Sequence, residues 1–395
     1  MQHDGGATGW PVRGGAVRLL VILALGFCIF HGIAQLLTFL RRHTLSQMDF
    51  FGLWSFARFA RTHAPALLYQ PAILNAYQHT LAPGLDGFYP FPYPPDFLLF
   101  LWPFGALSYA AAEIFWLGLS ATLFSLAIWF LLQNDIRWRG FGVVFALLAP
   151  ASLVNATIGE TGFFTSALLI GGFNLLPRRP VLAGILFGLL TLKPQLGVLV
   201  PVALLALGAW QTIAAAGVTA LLLVALSCAV FAPGLWLTWW HALASYQAME
   251  LQNLHELFGQ MTTIAAAVQS VGIPPAAATV IQILVSIVIA IACFMLFRRG
   301  PYRLAVAALL AGTYIASPHA YIYDSTAVAA ALLIFAEFAA ARSGAFTFPE
   351  IIVGILAFLL PVDAGPEHSH IVFTSVAYLL LFLILVRLYP RLRKQ

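Results

Sequence analysis

Asp49 follows the first long apolar run and opens a polar, aromatic stretch that closes on Tyr89-Pro90-Phe91-Pro92-Tyr93-Pro94-Pro95-Asp96. A carboxylate held there can take a proton from a sugar or lipid hydroxyl as that oxygen bonds an anomeric carbon. This is general-base work, and it needs one acid within hydrogen-bond reach of the hydroxyl. The plainer alternative is an ordinary loop carboxylate.

Three further polar groups interrupt apolar sequence. Asn155-Ala156-Thr157-Ile158-Gly159-Glu160-Thr161-Gly162-Phe163 offers an amide, an acid and two glycines, more than a connecting turn needs. Thr191-Leu192-Lys193-Pro194-Gln195 places an ammonium among apolar residues. A lysine at mid-span costs about 2.5–3.5 kcal/mol on insertion scales, which makes it a functional candidate by default. Its charge suits a phosphate on a lipid carrier; a lysine reaching for the interface is the alternative. Ser317-Pro318-His319-Ala320-Tyr321-Ile322-Tyr323-Asp324 gathers a histidine, two tyrosines and an acid. His319 could bind a phosphate oxygen or protonate a leaving group, with Asp324 orienting it if the chain bends between them.

Other chemistry finds little support. His368 and His370 form an HxH pair near Glu367, but spacing assigns no third ligand, and a solvated loop is the simpler account. There is no P-loop, no GxGxxG after a strand and no HExxH, which argues against nucleotide-driven work and a zincin. Cys28, Cys228 and Cys293 are scattered through apolar runs, giving neither a disulfide framework nor a metal spacing. No cofactor is indicated, and a divalent metal is possible but not required by a lone acid.

The elements that hold these groups are written in the composition. Of 395 residues, 62% are hydrophobic and only 8% charged, against about 25% charged in soluble domains. A span takes about 20 apolar residues, and the chain carries enough for roughly ten or eleven. The reading is one all-α polytopic membrane domain over residues 1–395. The net charge of +5 reflects Lys and Arg at helix ends, as the positive-inside bias requires, and not a nucleic-acid surface.

Ala16–Phe39 is expected to be a retained signal-anchor helix, with Arg13 and Arg18 marking a cytoplasmic start. The first extracytoplasmic loop, residues 40–95, is long enough to be functional. Within it, Asp49–Arg61 has helical periodicity, with Phe50, Leu53, Trp54, Ala57 and Ala60 on one side and Arg58 and Arg61 opposite. That pattern suits a helix lying in the interface plane. Leu67–Pro71 reads as a turn and Ala72–Leu81 as a second short helix. Phe88–Pro95 cannot be helical and suits the headgroup zone.

Further apolar segments follow at about 97–107, 109–132, 141–157, 161–177, 181–208, 211–231, 276–297, 303–317, 322–341, 349–361 and 369–389. Pro103 breaks the first, and Lys193-Pro194 with Pro201 breaks 181–208; such interruptions belong to helices lining a cavity. Placing Arg298, Arg299, Arg303, Arg342, Arg387, Arg391, Arg393 and Lys394 in the cytoplasm puts Ser317–Asp324 on the far side. Placing Arg137, Arg139, Arg178 and Arg179 inside as well requires both interrupted segments to be re-entrant hairpins, whereas letting both cross once leaves those arginines outside. A second extracytoplasmic loop, residues 232–261, opens on Trp236, Trp239 and Trp240 and could cap a cavity by a helix. No internal repeat is evident, which weighs against inverted-repeat transporters.

Taken in order, these motifs resemble the GT-C-fold glycosyltransferases, and most closely family 87, which includes polyprenol-phosphate-mannose-dependent mannosyltransferases. The marks are Asp49, Leu68-Tyr69, Tyr93-Pro94-Pro95, Asn155 with Gly159-Glu160-Thr161-Gly162-Phe163, Ala183-Gly184 leading to Leu192-Lys193-Pro194-Gln195, and Ser317-Pro318-His319 with Tyr323-Asp324. The resemblance implies a GT-C-type bundle of about 10–13 transmembrane or re-entrant helices in a bacterial inner (plasma) membrane. It implies transfer of a sugar, a hexose such as mannose, from a polyprenyl-phosphate donor to a lipid or glycan acceptor on the extracytoplasmic face. Asp49 and His319 match the catalytic positions. Lys193, Arg58 and Arg61 are then expected at the donor phosphate. Trp54, Tyr89, Tyr93, Asn155, Glu160, Gln195, Tyr321 and Asp324 are the expected substrate contacts, with Phe91 completing an aromatic wall. Glu160 departs from the Gly-Gln of relatives and adds negative charge near any phosphate. A transporter or flippase without chemistry explains the spans and the buried lysine equally well, but not the long first loop. A surface-polysaccharide polymerase or ligase would share the membrane face and use a diphosphate-linked donor.

Overall fold

The computed structural model describes residues 26–27, 29–30, 32–33, 49–85, 87–132, 136–252, 258–341, 346–361 and 373–392. Most of the expected span Ala16–Phe39 lies outside the described residues. So do His255 and Glu256 of the second loop, and Glu367, His368 and His370.

The first loop contributes α1 (Asp49–Thr62), a 3-10 turn (Pro65–Tyr69), α2 (Pro71–Leu81) and the short α3 (Phe97–Leu101) with its 3-10 extension Trp102–Ala106. The bundle follows as α4 (Tyr109–Leu131), α5 (Ile136–Leu147), α6 (Pro150–Ile158), α7 (Gly162–Leu175), α8 (Pro180–Leu189), α9 (Val200–Leu207) and α10 (Trp210–Phe231). The second loop is largely α11 (Gly234–Gln252), and α12 (Ile264–Ser270) leads to α13 (Pro275–Arg299). The chain ends with α14 (Tyr302–Ala316), a 3-10 segment Ile322–Ala327 running into α15 (Val328–Ala341), α16 (Phe348–Leu359) and α17 (Phe373–Leu392). Prolines open α2, α6, α8 and α13 at positions where their missing N–H costs nothing. Among the described residues the one extended pairing is an isolated antiparallel bridge between Met261 and Tyr321.

The chain is an all-α polytopic membrane protein, though its apolar runs are not equal. By length and composition, Tyr109–Leu131, Trp210–Phe231, Pro275–Arg299 and Ile322–Ala339 can each cross a membrane. The run expected at 141–157 is instead two helices, α5 and α6, bent by 58° where Pro150 starts the second. Most of the other expected segments are apolar helices of 10–17 residues. α14 is enclosed from Leu304 to Ala316, at the centre of an aliphatic core. α10 is the opposite case: it buries only Thr212 and Ser227 and turns its Leu and Val outward, as lipid requires. It docks on α8 through Gly184 and Gly188, where a β-carbon would meet the α10 backbone at 2.5 and 2.7 Å.

Two ends of the bundle can be told apart by contacts. At one, Arg303 Nη1 donates to Leu131 O (2.7 Å), Tyr302 OH to Phe173 O (2.6 Å) and Arg298 Nη1 to Ala206 O (3.5 Å). Arg178, Arg179, Arg298, Arg299 and Arg303 therefore gather there, with Arg137 and Arg139 just beyond Leu131. At the other end, Lys193 meets Asp324. The segment 181–208 leaves the basic end, turns at Lys193 and returns to it. Residues 97–107 likewise start and finish at the Lys193 end, since Asp96 meets Thr191 and Leu107 O accepts from Trp54 Nε1. Both interrupted segments are thus hairpin-like.

Candidate active site

The aromatic first loop folds into its own core over the Lys193 end. α1 does not lie half-buried on a surface, as its periodicity suggests. Phe50, Phe51, Phe56 and Phe59 point to all sides of it, and every residue from Phe50 to Ala57 is buried. Arg58 and Arg61 sit over the rings of Trp54 and Trp102, with centroid distances of 5.4 and 5.1 Å. Gln78 on α2 pins the following loop: its amide nitrogen donates to Ser55 Oγ (3.0 Å) and Tyr89 O (2.9 Å), and its oxygen accepts from Tyr89 N (3.1 Å). Tyr69 OH donates to Tyr93 O at 2.9 Å.

α6 ends at Gly159, whose φ of 76° is the left-handed cap a β-carbon opposes. Phe50 presses against this glycine so closely that an added β-carbon would lie 2.5 Å from its own. The chain pair Asp49-Phe50 is thereby set beside Gly159-Glu160. Asn155 Oδ1 accepts from Gly162 N at 2.7 Å and closes the turn. Its buried Nδ2 has no hydrogen-bond partner among the described residues. Gly162 admits the carbonyl of Tyr323, which would stand 1.8 Å from any β-carbon there.

These constraints bring Glu160, Lys193 and Asp324 together, each almost fully enclosed. Lys193 Nζ lies 2.9 Å from Asp324 Oδ1 and 3.5 Å from Glu160 Oε2. Glu160 also accepts from Thr161 N (2.9 Å) and from Tyr93 OH (3.3 Å). The Lys193 ammonium lies over the Tyr323 ring at 4.9 Å and the Tyr93 ring at 5.8 Å. Burial, with the carboxylates of Glu160, Asp324 and Asp49 around it, holds the Tyr93 phenol well above its usual range. Tyr93 therefore stays a neutral donor, and Asp49 shares its surroundings.

Two expected roles change. The Lys193 charge is not waiting for a phosphate, because two carboxylates already match it. Asp324 does not orient His319. Its second oxygen accepts from Tyr321 N at 3.1 Å, capping the 3-10 segment. His319 is half-buried on a loop fixed by Ser317 Oγ, which donates to His319 O at 2.8 Å, and its ring meets Tyr321 edge-on at 4.9 Å. Tyr321 stacks on Tyr323 at 5.2 Å. Thr262 N donates to Ala320 O at 3.0 Å, so the end of the second loop lies against this one. The expected aromatic wall is only partly open: Trp54 and Phe91 are buried, leaving Tyr89 and Tyr93 half-exposed. Gln195 is half-buried two residues beyond Lys193.

Asp96 is fully buried; its Oδ2 accepts from Thr191 Oγ1 at 3.1 Å, and its Oδ1 has no hydrogen-bond partner among the described residues. Burial raises this carboxyl to about 6. In sequence it reads as the end of a Pro-Pro turn, and only the apolar Phe97–Leu101 after it hints at enclosure.

The site is recessed. Trp116 Nε1 donates to Gly159 O at 3.0 Å, which marks the level of the site on α4, seven residues inside its first residue. Gln282 Nε2 donates to Ile315 O at 2.8 Å and marks the same level on α13. At 1.5 Å per residue, both helices run about 10 Å past the site and about 20–25 Å on to the basic end.

No curated protein and no solved structure matches the chain. The profile of glycosyltransferase family 87 matches residues 91–318, more than half of the chain, a range that includes Tyr93, Glu160 and Lys193. The chain belongs to glycosyltransferase family 87.

Proposed function

We propose that the protein moves a sugar, a hexose such as mannose, from a polyprenyl-phosphate donor to a lipid or glycan acceptor at the extracytoplasmic face of a bacterial plasma membrane, within a GT-C-type bundle. The observation that carries this reading is the half-exposed Asp49 set beside a recessed, buried Glu160–Lys193–Asp324 cluster. A site about 10 Å below the ends of the long helices lies at a depth where a lipid-borne phosphate can arrive sideways between helices. No nucleotide motif is needed for such a donor.

The reaction is a single displacement with inversion. Asp49 takes the acceptor hydroxyl proton while that oxygen bonds the anomeric carbon. The bond from that carbon to the phosphate oxygen breaks, and its electron pair leaves with the polyprenyl phosphate. His319, at the rim, meets the departing phosphate. Lys193 in this reading is the counter-ion that fixes Glu160 and Asp324, so that Glu160, Tyr93 and Tyr89 present a set pattern to sugar hydroxyls. Arg58 and Arg61, held on tryptophan faces, are the cations left to draw the donor toward the loop.

The test supplies the purified protein in proteoliposomes with a radiolabelled polyprenyl-phosphate hexose and an envelope lipid extract. A labelled glycolipid or glycan product supports transfer. Label moved across the bilayer with the donor intact supports a flippase and defeats the proposal. Product formed only from a diphosphate-linked donor supports a polymerase or ligase instead.

A further inference from the structure

At the end of the bundle remote from Lys193, a cavity of about 690 Å³ opens between helix ends, with Leu176, Pro177, Pro180, Leu207, Trp210 and Tyr302 in its lining. Its polar groups are largely taken: Thr212 Oγ1 donates to Pro180 O at 3.0 Å and Tyr302 OH to Phe173 O at 2.6 Å. Trp210 is 66% exposed at its mouth and begins α10, the helix whose outer side is apolar. The cavity therefore opens toward lipid.

Its rim is cationic. Arg178 and Arg179 are exposed between the lining residues Pro177 and Pro180. Arg298 and Arg299 are exposed at the end of α13, and Arg298 reaches Ala206 O beside the lining residue Leu207. Among the described residues, the cations within ion-pair distance of a carboxylate are Lys193 and Arg303, so these four arginines have no acidic partner there. An apolar cavity open to the bilayer and ringed by unmatched guanidinium groups fits an amphiphile of opposite charge. A free anion would satisfy the arginines and leave the cavity unfilled. Basic pockets between helices take anionic headgroups on this principle.

We propose that this cavity binds an anionic phospholipid, one acyl chain lying between α9 and α10 and the phosphate among Arg178, Arg179 and Arg298. The site is separate from the glycosyl-transfer centre and stands or falls without it.

The experiment uses the full chain in nanodiscs of phosphatidylcholine, alone or mixed with phosphatidylglycerol. Native mass spectrometry counts the lipids retained on progressive delipidation. The wild type is expected to hold phosphatidylglycerol over phosphatidylcholine by roughly tenfold. Arg178→Gln with Arg179→Gln should bring that ratio near unity, and Arg298→Gln alone should lower it in part. Arg137→Gln with Arg139→Gln, at the same end but away from the cavity, should leave it unchanged. Absence of a preference in the wild type, or equal losses in both arginine pairs, would overturn the proposal. So would inorganic phosphate in detergent protecting the protein from heat as well as phosphatidylglycerol does.

Discussion

Lys193 carries the internal charge balance of the site. Removing one partner of a buried ion cluster leaves uncompensated charge and costs about 3–5 kcal/mol. Lys193→Met should therefore lower the thermal midpoint in detergent sharply, and Lys193→Met with Asp324→Asn should recover much of the loss. Additive losses in that double variant would show that the pairing observed at 2.9 Å is not what holds the site. Asp96 gives the converse case. Its carboxyl is raised from 3.8 to about 6, first by burial, with the Thr191 hydrogen bond opposing. The folded state thus disfavours the charged form, so this residue's contribution to stability is best below about pH 4 and declines as pH rises toward 6. Asp96→Asn should stabilise the protein at pH 7.5 by on the order of 2 kcal/mol, with the gain vanishing near pH 4 in thermal scans. A gain independent of pH would contradict the burial argument. Glu160, Lys193 and Asp324 could each be picked out in sequence as polar breaks in apolar runs. Their mutual pairing could not, because each arrives from a different element and nothing local encodes the meeting.

Among the elements, the turn Asn155–Gly162 sets the geometry on which the site depends. Gly162→Ala would drive a β-carbon into Tyr323 O and Asn155 Oδ1, so folded yield and donor binding should both fall by an order of magnitude or more. Gly118→Ala, in open space on α4, should change neither, since a helix interior gains from alanine. Equal behaviour of the two variants in size-exclusion yield would remove the close approach as a constraint. Many helix positions after Tyr109 are legible from apolar runs because a membrane segment has to be apolar throughout, but the bend at Pro150 and the helices Gly234–Gln252 and Ile264–Ser270 are not. The burial of α1 was less so: reading one apolar face from Phe50, Leu53, Trp54 and Ala57 passes over Phe51, Phe56 and Phe59, which cover the other sides. The break in 181–208 was legible from Lys193-Pro194 and Pro201, but the partners that Lys193 finds at the turn, Asp324 and Glu160, were not.

For the whole molecule, the arginines at one end and the acid-rich site at the other define an orientation. In the proposed reading the basic end faces the cytoplasm, as the positive-inside bias would have it. His79→Cys, on exposed α2, should label with an impermeant maleimide in intact cells, and Arg178→Cys only after permeabilisation; the reverse pattern would put the site on the cytoplasmic face. In the proposed reaction one acid removes one proton, and the direct measurement is transfer by Asp49→Asn in proteoliposomes given the labelled polyprenyl-phosphate hexose. A general base contributes roughly 10²–10⁴-fold, so turnover should fall by that factor while donor binding and thermal stability hold. Transfer at the wild-type rate would contradict the account.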